Sequence, residues 1–69
     1  GNPNAVTDAG VGVLLAEAAV VGAALNVKIN LGSIDDAEFV AATAAQVETL
    51  QAEAAALRAE VLAITLSKL

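Results

Sequence analysis

The sequence predicts an all-α protein, a helical hairpin of two long antiparallel helices that completes its bundle through oligomerisation. Three observations predict it. The chain is dominated by Ala, Val and Leu and has one aromatic residue, Phe39, a mixture that favours helix over sheet. Apolar residues in the second half recur at alternating steps of three and four: Val40, Thr43, Val47, Leu50, Ala54, Leu57, Val61, Ile64. That is a heptad seam with one polar exception, Thr43. The segment between the two helical stretches, Leu31 to Ile34, is short enough to force antiparallel neighbours.

The first helix is expected over about residues 7–30. Thr7 suits an N-cap, with Asp8 in the first turn, where the positive end of the helix dipole favours a carboxylate. Val6 and Val11 then fall at the two positions of a hydrophobic staple. Asn4 is the alternative start. Gly32 suits a left-handed residue just past the helix end. From Ala9 to Leu25 the only charge is Glu17. The apolar surface therefore wraps the whole circumference, as in a helix covered on all sides.

The second helix is expected over about residues 36–67. Asp35 reads as its N-cap, Glu38 as the reciprocal partner of a capping box, and Ile34 with Phe39 as the staple. At about 1.5 Å per residue the two rods measure roughly 36 and 48 Å. The outer positions of the second rod are Ala41, Ala45, Ala52, Ala56, Ala59 and Ala63, with Leu62 and Leu66 near the end. Glu48, Glu53, Arg58 and Glu60 leave only a partial wet face. One hairpin cannot hide all of this surface. Self-association as a dimer or higher oligomer, or packing against the rest of a parent protein, is expected.

Composition also removes several classes. There is no Cys, His, Met, Trp or Tyr. Disulfides and thiolate sites are excluded, and a zinc or other transition-metal site is not expected. Three basic against eight acidic residues give a net charge of −5, and Lys28, Arg58 and Lys68 are scattered, so no nucleic acid is expected as a partner. No signal peptide is legible. The 17-residue run from Ala9 to Leu25 falls short of the ~20 residues a span needs and has Glu17 at its centre, so a membrane reading is disfavoured. With no initiator Met, the chain is expected to be a piece of a longer protein.

The densest polar stretch is Gly1-Asn2-Pro3-Asn4-Ala5-Val6-Thr7-Asp8-Ala9-Gly10-Val11-Gly12. It sets amides, a hydroxyl, a carboxylate and bare backbone at a helix start, where unpaired N–H donors suit an anionic or polar ligand. The plainer reading is a turn and cap made by Asn2, Pro3 and Asn4. Asn26 and Asn30 lie four apart on one face and either fix helix packing or touch a ligand. Glu17, a charge within an apolar helix, must find a partner or be protonated. It is either an acid/base candidate or one half of an inter-helix pair, with Lys28 a candidate from another chain.

The wording G-N-P-N-x-x-T-D-A-G-V-G, followed by G-A-A-L-N-V-K-I-N-L at 22–31, resembles the cyclodeaminase family. That family comprises the C-terminal domain of formiminotransferase-cyclodeaminase and stand-alone relatives, methenyltetrahydrofolate cyclohydrolases among them. The likeness is strong over 1–31, weaker over the second helix, and covers about the last third of the family's domain. The family's glycine-rich P-G-G-G-S segment is absent. The resemblance implies an all-helical oligomer, cytoplasmic, acting on formimino- or methenyl-tetrahydrofolate with no metal and no tightly bound cofactor. The substrate is itself the tetrahydrofolate derivative. It further implies that Asn2, Asn4 and Thr7 line the substrate cleft and that Asp8 orients the substrate or relays a proton. Turnover by this piece alone is not expected. The alternative is a non-catalytic helical self-assembly module in which the same segment merely caps a helix.

Overall fold

The computed structural model describes residues 3–69 and contains two α-helices among them, α1 (Pro3–Leu31) and α2 (Ala37–Lys68). They pack against each other as an antiparallel hairpin about 51 Å long and 15 by 12 Å across. The predicted all-α helical hairpin is therefore observed. Ala41, Ala45, Ala52, Ala56, Ala59, Ala63 and Leu66 are exposed, as expected, whereas Leu62, expected with them, is half-buried.

Both helix starts differ from expectation. α1 begins at Pro3, a full turn before Thr7. Proline at the first helical position has its φ already set and lacks an N–H that would otherwise want a partner. Thr7 is thus inside the helix rather than its cap, and its Oγ1 donates back to the Asn4 carbonyl at 3.0 Å. α2 is capped by Asp36, not Asp35. The Asp36 carboxylate accepts from Phe39 N at 3.1 Å, and its carbonyl accepts the first helical bond from Val40 N at 2.9 Å. This one-residue delay moves Glu38 out of the capping-box position and takes Ile34 and Phe39 off the staple positions. Its source is the connecting turn, where Ser33 N donates to Asn30 O and Ile34 N to Leu31 O. Those short-range bonds close α1 without a left-handed residue, and Gly32 does not have a positive φ.

The packing seam is the larger correction. Along α1 the buried and half-buried positions are Val6, Thr7, Gly10, Val13, Glu17, Val20, Ala24, Val27 and Leu31. They face Val40, Thr43, Ala44, Val47, Gln51, Ala54, Ala55, Arg58, Val61, Leu62 and Thr65 of α2. Of the expected heptad seam Val40, Thr43, Val47, Ala54 and Val61 hold, but Leu50, Leu57 and Ile64 are each more than half exposed, and Gln51, Arg58 and Thr65 take their places. The physical cause is Glu17. Arg58 Nε donates to Glu17 Oε1 at 2.6 Å, with the Glu17 side chain only 22% exposed. A carboxylate at a helix interface must be paired, and a rotation of α2 by less than one residue brings Arg58 rather than Leu57 to it while Ala54 and Val61 stay in the seam. Glu17 is thereby one half of an inter-helix pair within the hairpin. Lys28, the candidate from another chain, instead meets Glu48 at 3.2 Å.

Near the turn, the helices leave a small apolar gap of about 60 Å³ lined by Val20, Ala24, Val27, Val47 and Leu50. Asn30 Nδ2 donates to the Asn26 carbonyl at 2.8 Å, so the Asn26/Asn30 pair serves the last turns of α1. The face of α1 about half a turn round from the seam carries Val11, Leu15, Ala18, Gly22, Leu25 and Ile29. Its large residues run from 56% exposed at Val11 to 76% at Ile29. The helix is apolar on two opposite sides and the hairpin covers one.

Asn4–Leu31 is long and apolar enough to cross a membrane by length and composition. The antiparallel neighbour argues against that placement. Glu48, Glu53, Arg58 and Glu60 of α2 would enter the bilayer beside it, each charge costing about 3 kcal/mol near the centre.

The two ion pairs are expected to differ in weight. Arg58→Met leaves Glu17 partly buried without its cation and is predicted to lower unfolding stability by about 1–3 kcal/mol. Glu48→Gln removes a solvent-exposed pair and is predicted to cost less than about 1 kcal/mol. Chemical denaturation midpoints of the two variants check this ordering.

Candidate functional site

The first two turns of α1 carry the polar cluster. Asn4 and Asp8 lie four residues apart and so share one face of the helix, and both are exposed. Thr7 is half-buried, between that face and the seam. Because the helix starts at Pro3, Asp8 stands in the second turn, and the first turn contains no acidic residue. The expected dipole contact of Asp8 with the helix start is therefore not made, and its carboxylate projects outward. Asn2, the remaining predicted ligand contact, lies outside the described residues.

Antiparallel pairing brings the far end of the chain to this cluster. Thr65, on the last turns of α2, donates from Oγ1 to the Val6 carbonyl at 3.3 Å across 59 residues of sequence. The approach is close because position 10 is glycine. A Cβ built on Gly10 would lie 3.0 Å from Thr65 Oγ1 and 3.1 Å from its Cγ2, so a side chain there would require Thr65 to give way by a few tenths of an ångström. Sequence reasoning did not identify Thr65. The available signal was Gly10, a bare backbone position that on one turn of helix marks close approach.

Among the described residues no group of three or more Asp or Glu side chains gathers as a metal site. A separate, shallow concavity on the outside of α2 is lined by Ala45, Gln46, Thr49 and Leu50. In the antiparallel pairing these residues run beside the far end of α1, on the order of 30 Å from Asp8. That concavity is open and lacks charged groups, and it plays no part in the polar cluster. The cluster itself has one wall, the helix that bears it. On the exposed side Asn4 and Asp8 continue directly into the apolar stripe that starts at Val11.

The sequence pattern of the formiminotransferase-cyclodeaminase family matches residues 1–49, which contain the polar cluster, all of α1 and the capped start of α2. The chain belongs to the formiminotransferase-cyclodeaminase family. A relative from Methylorubrum extorquens strain AM1, a methenyltetrahydrofolate cyclohydrolase, is 43% identical over 68 residues. That alignment covers 99% of this chain and 33% of the relative, so the chain spans about a third of the curated relative's length. It extends family likeness beyond residue 49 into the part of α2 that holds Arg58 and Thr65. No solved structure matches the chain.

Proposed function

We propose that this chain supplies the Asp8-bearing helix of a folate-interconverting enzyme, with hydrolysis of methenyltetrahydrofolate as the first reading. The observation that carries it is the 43% identity to a methenyltetrahydrofolate cyclohydrolase over nearly the whole chain. The family's own description, which names a cyclodeaminase, favours a second reading: closure of formiminotetrahydrofolate to the methenyl form with loss of ammonia. Both reactions act at one carbon held between two nitrogens. In hydrolysis, water adds to that carbon, one C–N bond breaks, the formyl group stays on the other nitrogen, and a proton is released. In deamination, the second nitrogen attacks the formimino carbon and the bond to the departing nitrogen breaks as ammonia leaves with an added proton. Each needs a group that moves a proton at the reacting carbon and a pocket that orients the pterin.

In this reading Asp8 takes or relays that proton, and Asn2, Asn4 and Thr7 contact the substrate. An exposed carboxylate beside an exposed amide, at the edge of an apolar stripe, suits a ring system with polar edges. The opposite wall of the cleft comes from elements packed on the outer face of α1, in a cytoplasmic, self-associated enzyme. By itself the hairpin is then without turnover, since only one wall is present.

Asp8→Ala in the full-length enzyme is predicted to lower kcat for the folate substrate by about 100-fold or more, the usual weight of a positioned acid or base. Wild-type turnover by that variant would remove Asp8 from the chemistry and leave its segment as a helix start only. Assembly has its own check. Sedimentation of this chain is predicted to show species larger than its 6.8 kDa protomer, and a profile containing only the protomer would contradict self-association.

A further inference from the structure

We propose that Thr65 is a positioning residue for the catalytic turn: its hydroxyl holds the Val6 carbonyl and thereby sets where Asn4 and Asp8 stand. This rests on the reading of Asp8 given above. Three observations on the molecule converge on Thr65. It is the only buried polar or charged residue among those described, at 7% exposure. Its hydroxyl also departs from the local habit of its neighbours. Helical Ser and Thr side chains commonly bond back to a carbonyl three or four residues earlier. Thr7, Thr49 and Ser67 do so here, to Asn4 O, Ala45 O and Ile64 O. Thr65 instead reaches across to the other helix. Lastly, Thr65 packs directly on the bare Gly10 backbone opposite, its Oγ1 3.0 Å from where a Cβ at position 10 would stand.

The placement matters because Val6 lies between Asn4 and Asp8 in the same stretch of helix. Among the described residues, the ion pairs that join α1 to α2 involve Glu17 and Lys28. At the polar end this hydrogen bond joins the α1 start to α2 beside the half-buried Val6 and Thr7 and the buried Gly10. A valine at position 65 would fill the same space but could not donate. The first turns would then be free to shift, and a displacement of an ångström at a reacting group costs rate more than binding.

The test uses the full-length enzyme and four variants, with kcat and KM for the folate substrate and a melting curve for each. Thr65→Val is expected to lower kcat about 10-fold with KM within about twofold, while Thr65→Ser, which keeps the hydroxyl, stays near wild type. In an Asp8→Ala background, Thr65→Val is expected to have no additional effect, because the residue it positions is gone. Should the valine variant fail to fold, Thr65→Ala carries the same comparison. Wild-type kcat for Thr65→Val, or an equal loss in both backgrounds, overturns the positioning role while leaving Asp8 in place. Wild-type turnover of Asp8→Ala alone overturns the underlying reading instead.

Discussion

The pairing of Glu17 with Arg58 is the interaction from which the rest of the hairpin follows. A carboxylate on the inner face of an apolar helix has to be matched, and only three cations exist in the chain. Arg58 reaches it at 2.6 Å. That choice fixes the rotation of α2 about its axis. With Arg58 turned inward, Thr65, seven residues on, also faces α1 and meets Gly10, and Leu50, Leu57 and Ile64 are left more than half exposed. A seam of leucines would have buried more apolar surface in the hairpin. Its cost would have been a carboxylate left unmatched between the helices.

The consequence is a division of labour among faces. The inner faces are small and partly polar, and they specify which residues meet. The outer face of α1 and the flank of α2 hold the large apolar residues, and the hairpin leaves these exposed. Contiguous apolar patches of this kind on a soluble protein mark interaction surfaces. The same face of α1 bears Asn4 and Asp8 at its N-terminal end, so whatever covers the stripe also approaches the polar cluster. The chain, a member of the formiminotransferase-cyclodeaminase family, spans about a third of its curated relative's length.

Much of this was legible in the residues. Helix type, the hairpin and the short connection follow from composition, the 3-4 spacing and Gly32. The excess of apolar surface was readable from the alanines of α2 and the nearly uncharged stretch of α1. The seam was misplaced because an alanine-rich helix offers two adjacent stripes with the same period. One runs through Leu50, Leu57 and Ile64, the other through Gln51, Arg58 and Thr65. Hydrophobicity prefers the first, and the decision for the second is made by a charge on the other helix. The caps erred for a local reason: Asp35 and Asp36 compete for one position, and Pro3 starts α1 before Thr7 can. Asn4, Thr7 and Asp8 stood out as a cluster. Thr65 did not, since its importance depends on a contact with a residue 59 positions away.

Because the chain contains no cysteine, the orientation of α2 can be read by introduced disulfides without background. A Cβ on Gly10 would lie 3.4 Å from the Thr65 Cβ, close to the separation that a disulfide requires. Under mild oxidation, the pair Gly10→Cys with Thr65→Cys should cross-link within one chain, and Gly10→Cys with Ile64→Cys should stay reduced. Efficient bridging through position 64 and none through 65 would contradict the seam set by Glu17 and Arg58.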